Sequence, residues 1–147
     1  MKLATWNVNS LKVRLPHVLD WLEANPIDVL CLQETKQQDK DFPQAALQEA
    51  GYHSVFIGQK TYNGVAILSR EPGTDVQIGI PDFDDEQRRV IAATYGDTRV
   101  IDVYIPNGSE VDSDKYHYKL KWLTALHNWV QQELTRYPKL VLLGDYN

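Results

Sequence analysis

The chain has 147 residues, of which 43% are hydrophobic and 24% charged, and its formal net charge is −5. Such a chain is the size of one domain with enough apolar material for a core, which excludes a disordered or low-complexity protein. No run approaches the ~18 apolar residues of a membrane span, and the negative balance, taken alone, argues against a protein that grips nucleic acid by bulk charge.

In chain order, Leu3 to Val8 reads as a strand that starts directly behind Met1-Lys2 and leaves no room for a signal peptide. A helix is predicted from about Leu15 to Ala24, with Pro16 near its start and Leu15, Val18, Leu19 and Leu22 at helical spacing, closed by Pro26. Val29 to Leu32 is a second strand holding the only cysteine, Cys31, which is expected to be a small buried hydrophobe. With no second cysteine for a disulfide and no leader, an intracellular, reducing setting is expected. A short helix over about Pro43 to Ala50 stops at Gly51. Further strands are predicted at Ser54–Ile57, Val65–Ser69, Val76–Ile80, Val90–Tyr95, Val100–Ile105 and Leu140–Leu143, with turns at Asn63-Gly64 and Pro72-Gly73 and an exposed acidic loop at Pro81 to Gln87. The longest helix covers about Asp114 to Arg136, with an apolar stripe at Leu120, Leu123, Leu126, Val130 and Leu134 and Pro138 beyond its end. The order indicates a mixed α/β sheet layered with helices.

Four apolar strands finish in polar tips: Asn7-Val8-Asn9, Gln33-Glu34-Thr35-Lys36, Tyr104-Ile105-Pro106-Asn107-Gly108 and Gly144-Asp145-Tyr146-Asn147. If the four strands are parallel neighbours, these tips share one rim, where loops over a rigid base present ligand-binding groups. Glu34 and Asp145 could hold a hard cation with water and phosphate completing its shell, as magnesium prefers. Asn7, Asn9, Asn107 and Asn147 offer amides to orient a water or a phosphate oxygen, and Tyr104 adds a hydroxyl. Asp145 and Asn147 would face one side if the strand continued extended. A polar residue after a strand is commonly only a turn former, so the residues by themselves leave both readings open.

These segments resemble the exonuclease III and apurinic/apyrimidinic endonuclease family. Trp6 to Arg14 resembles its opening motif, and Leu32-Gln33-Glu34-Thr35-Lys36 its metal motif. Tyr62 to Arg70 is similar to its strand after the first DNA-contacting loop, Tyr104 to Gly108 to its tyrosine motif, and Gly144 to Asn147 to its Gly-Asp-aromatic-Asn motif. DNase I, sphingomyelinases and inositol polyphosphate 5-phosphatases share parts of the pattern. The Leu-Gln-Glu-Thr-Lys and Tyr-Ile-Pro-Asn-Gly forms favour the DNA-repair branch, with another phosphodiesterase or phosphatase, or a non-catalytic DNA-binding or assembly module, as the alternatives.

The resemblance implies a DNase I-like layered α/β sandwich, of which residues 1–147 would supply about one sheet layer with its helices. It implies Glu34 as the main metal ligand with Asn9 and Asn7 nearby, and magnesium, or alternatively manganese, as the ion. Asp145 would orient the attacking water or protonate the leaving oxygen. Asn7, Tyr104, Asp145 and Asn147 form the implied catalytic set, Asn107 would bond phosphate oxygens, and Lys36 would balance the metal site's charge. Lys12, Arg14, Tyr62, Asn63 and Arg89 are implied for the DNA-backbone surface. The implied reaction is cleavage 5′ to abasic sites in double-stranded DNA, with 3′→5′ exonuclease and 3′-phosphatase action on 3′-blocked ends. The implied protein is cytoplasmic, nucleoid-associated and monomeric when complete. Family members continue into a Ser-Asp-His motif that none of His17, His53, His117 and His127 matches, so a missing carboxy-terminal half, an exposed apolar sheet face and at most residual activity are expected of these residues alone.

Overall fold

A computed structural model describes residues 1–147. The first layer of strands is β1 (Leu3–Asn7), β2 (Val29–Gln33), β3 (His53–Ile57) and β4 (Val65–Ser69), in the order β1-β2-β4-β3. The second is β5 (Thr74–Ile78), β6 (Val90–Tyr95), β7 (Thr98–Tyr104) and β8 (Lys139–Asp145), in the order β5-β6-β7-β8. Each sheet holds one parallel pair, β1 with β2 and β7 with β8, and its other pairs are antiparallel. Two helices, α1 (Leu11–Ala24) and α2 (Gln44–Glu49), cover the first sheet, and α3 (Asp114–Arg136) covers the second.

The layered sandwich is therefore present, but the expectation of one sheet layer is corrected: the chain builds four strands of each of two sheets. β2, β4 and β6 are buried at every position, as strands covered on both faces must be, which is why they read as unbroken apolar runs. Val29, Cys31, Val65, Ile67, Ile91, Ala93, Tyr95 and Val100 form the core between the sheets. That mutual cover removes the exposed sheet face expected from the sequence. The sides that remain open are the edges, where β1 and β8 lie outermost on the same side and are only part-buried.

α1 starts four residues earlier than its apolar spacing suggests. The Ser10 hydroxyl accepts from the Val13 N–H, and the fully buried Leu11 anchors the first turn. Pro16 thus lies inside the helix, and its missing N–H leaves the exposed Lys12's carbonyl to solvent. In α3 the buried face is Trp122, Leu126, Trp129 and Glu133, so the predicted stripe is rotated and both Leu120 and Leu134 are exposed. Trp122 and Trp129, the large aromatic faces that the sequence marks for packing, cover the second sheet together with Leu126.

Candidate active site

The strand registers carry the tips to one end of the sandwich. Asn7 pairs with Gln33 at the end of the first sheet's parallel pair, and Tyr104 pairs with Asp145 at the end of the second's. The four tips are not neighbours in one sheet. They meet because two parallel pairs are stacked with their carboxyl ends together. Across the gap, the Asn7 side-chain nitrogen donates to Glu34 Oε2 at 2.5 Å and to Asp145 Oδ2 at 2.7 Å. One amide thus holds two carboxylates that would otherwise repel each other.

The backbone around these groups is unusual. Asn9, Ser10, Glu34, Lys36, Asn63 and Asn147 all have positive φ, a costly conformation for side chains that clusters at functional sites. Glu34 and Lys36 are turned this way because the Thr35 and Lys36 N–H groups donate to the carbonyls of Gly64 and Asn63. Gly64 itself has no room for a Cβ, which would run into the Thr35 hydroxyl. Gly144 is stricter still: its φ is +143° and a Cβ would strike the Val103 carbonyl of the neighbouring strand. That close approach sets the height of Asp145 against Asn7.

Around this pair, Lys36 Nζ lies 3.6 Å from Glu34 Oε1 and donates to Asn9 Oδ1 at 2.6 Å. Asp145 Oδ1 accepts from the Asn147 N–H at 2.9 Å. Asn147 does not continue extended: its φ is +54° and its amide turns back to the Ile105 carbonyl at 3.1 Å, so it shares no strand face with Asp145. Tyr104 is half-buried, and burial first, then the negative charge of Glu34, push its phenol upward against the pull of Arg89, so the hydroxyl stays a donor at neutral pH. Asn107 is exposed and accepts from the Ser109 N–H. A groove of about 350 Å³ beside Tyr104 is lined by Tyr62, Arg89, Asn107, Lys115 and Tyr118 among others.

The surface set divides. Lys12 and Tyr62 are exposed and Arg14 is partly so. Asn63 is only 9% exposed and its amide donates to Gln59, so it is part of the loop's frame and not a surface group. Arg89 is part-exposed and bonds to Gln87 and to the Tyr104 carbonyl. A buried network that none of the sequence motifs includes as a whole lies beneath the site. The Gln33 side-chain nitrogen donates to Thr5 on β1 and to Asp102 on β7, each at 2.8 Å, linking three strands and both sheets. Burial pushes the Asp102 carboxyl well above its ordinary value, and its Oδ2 has no partner. A carboxylate inside an otherwise apolar run was the available signal.

The donor set suits a hard cation. Two carboxylates converge on one amide at an open rim, and no third histidine, cysteine, aspartate or glutamate joins them. Magnesium takes one or two carboxylates and keeps several waters, so this set fits it and would not suit zinc, which prefers four nitrogen and sulfur ligands.

The endonuclease/exonuclease/phosphatase family model matches residues 4–147. The chain belongs to that family. Among its relatives, exodeoxyribonuclease III of Haemophilus influenzae is 34% identical over 154 residues, covering 100% of this chain and 57% of that protein. The structure of a 3′-5′ exonuclease (NExo) from Neisseria meningitidis superposes with a TM-score of 0.97 at 57% identity, over 100% of this chain and 58% of the other. An AP endonuclease from Archaeoglobus fulgidus gives 0.94 at 43% identity, over 99% and 57%. The fold is thus the DNase I-like one of this family, and the chain spans a little over half the length of the relatives it matches. No helix is long and apolar enough to cross a membrane.

Proposed function

We propose that the rim is the metal- and phosphate-holding side of a phosphodiester-cleaving centre in a DNA-repair nuclease. The substrate would be double-stranded DNA, cut 5′ to abasic sites, with trimming of 3′ ends by the same centre. The observation that carries this reading is the Asn7 amide shared between Glu34 and Asp145.

Magnesium or manganese would be held by Glu34 with Asn7 and Asn9 alongside, and when bound it supplies neutralisation of phosphate charge. The chain's own groups do the remaining positioning. Both Asp145 oxygens already accept hydrogen bonds, so the carboxylate is aimed, with lone pairs left to orient a water. Asn147 stands beside it on the Ile105 carbonyl, within reach of the same water or of the scissile phosphate. The Tyr104 hydroxyl and the Asn107 amide offer donors to phosphate oxygens. Lys36 offsets the charge of Glu34 while fixing Asn9. Lys12, Arg14 and Tyr62 would meet the DNA backbone.

Titration calorimetry with manganese and with magnesium on the 147-residue chain tests the metal reading, and Glu34→Ala should lose the heat of binding. Cleavage of a duplex with one synthetic abasic site tests the rest. In a protein carrying these residues, Glu34→Ala and Asp145→Ala should each abolish it, and magnesium-dependent cleavage that survives either change would sink the reading.

A further inference from the structure

We propose that Arg89 is a positioning residue for Tyr104, held in place by Gln87. The inference rests on Tyr104 being the phosphate-binding hydroxyl proposed above.

Two of the five Arg89 guanidinium N–H donors are committed within the fold. Its Nη1 donates to the Tyr104 carbonyl at 3.0 Å, its Nε donates to Gln87 Oε1 at 2.8 Å, and its Cζ lies 4.7 Å from the centroid of the Tyr104 ring. The Tyr104 N–H returns a bond to the Arg89 carbonyl at 2.8 Å. Main chain and ring of one residue are therefore gripped by the other. A planar fork of donors can make both bonds while stacked on the ring, which a lysine ammonium cannot do.

The grip continues away from the rim. The Gln87 N–H donates to Asp85 Oδ1 at 3.0 Å, and Asp85 Oδ2 accepts from the Tyr118 hydroxyl of α3 at 2.6 Å. An unbroken series, Tyr118–Asp85–Gln87–Arg89–Tyr104, thus runs from the helix to the site. The two committed donors and the stacked ring fix the phenol's position, and small misplacements of a positioning group are costly to phosphoryl transfer. The acidic loop, which the sequence reads as solvated, is on this view the bracket that carries the arginine.

The test uses exposed Gln87, whose substitution leaves the core alone. NMR of the 147-residue chain would follow the Tyr104 ring, assigned with Tyr104→Phe, and the Arg89 Nε–H. Gln87→Ala should speed exchange of that N–H about tenfold and move the Tyr104 ring signals, whereas Gln87→Glu, which keeps an acceptor, should restore both. Ring signals unchanged in both Gln87→Ala and Arg89→Gln would overturn the proposal. The ring signals decide whether Arg89 positions Tyr104 whatever the outcome of the cleavage assay, which tests the nuclease reading separately.

Discussion

Asn7 and Asp145, 138 positions apart in the chain, meet at 2.7 Å across the two outermost strands of the sandwich. The contact ties the end of β1 to the end of β8 at a place where no backbone ladder joins the two sheets. Without the amide, Glu34 and Asp145 would face each other with only Lys36 nearby to offset them. Asn7→Ala should therefore lower stability in chelator by about 1–2 kcal/mol, for bonds to charged, half-buried groups. Magnesium should narrow the gap, since a cation does the same electrostatic work. Thermal melts with chelator and with magnesium decide it, and a variant as stable as the wild type in chelator would refute the role.

Gly144 and Gly96 offer a paired comparison. Both have positive φ, but a Cβ at Gly144 meets the Val103 main chain, while one at Gly96 meets nothing within 4 Å. Gly144→Ala should cost about 3 kcal/mol or more and displace Asp145, whereas Gly96→Ala should cost about 1 kcal/mol. Urea midpoints of the two variants measure the difference, and equal losses would show that the close approach is not what matters.

Asp102 makes stability depend on pH in a definite direction. Its carboxyl is raised by burial, so the folded chain holds the proton from the ordinary value of 3.8 up to that raised value, where the unfolded chain has lost it. Its contribution is fully present below 3.8 and is lost as pH rises through the folded value. The unfolding free energy of the wild type, minus that of Asp102→Asn, should fall as pH rises above 3.8 and through the raised folded value. Denaturant titrations across that range would show it, and a constant difference would mean the carboxyl is not neutral in the fold.

The far end of β7 carries a second buried pair. Arg99 Nε and Nη2 each lie 3.0 Å from Glu133 Oε1, with both side chains almost wholly covered. Glu133→Ala would leave the buried guanidinium without a counter-charge, held by Thr94, the Asp75 carbonyl and the Tyr137 ring, and should cost about 3–5 kcal/mol. Metal binding at the opposite rim should be unaffected, which calorimetry alongside denaturation can check.

Lys12 and Tyr62 project from the surface without partners in the fold. Lys12→Gln should reduce the salt slope of duplex binding by about 0.9 and leave stability within about 0.5 kcal/mol. Tyr62→Ala should weaken binding with no change in slope. Identical salt slopes for Lys12→Gln and the wild type would remove Lys12 from the interface.

Much of the site was legible because its residues stop apolar runs. Asn7, Glu34, Tyr104 and Asp145 stand where β1, β2, β7 and β8 end or have just ended, and a strand's end is set by its own side chains. Asn63 was misplaced for a related reason: an Asn-Gly pair marks a turn, but only the packing of Gly64 against Thr35 shows that the turn is buried. The early start of α1 depended on Ser10 in a conformation no propensity favours. Asp102 lies inside an apolar strand and Gln33 at the end of one, and the role of each appears only in their contact.

The sequence by itself determined the elements, the buried cysteine, the polar strand ends and the family they resemble. All of these rest on side chains within a few residues of one another, where spacing, caps and turn chemistry act. Only the tertiary structure decided that the chain makes two sheets, that two parallel pairs stack with their ends together, and that one amide holds Glu34 and Asp145. Those facts depend on pairings between distant strands, and near-uniform apolar runs such as Val29–Gln33 and Val90–Tyr95 carry no mark of which partner they will take.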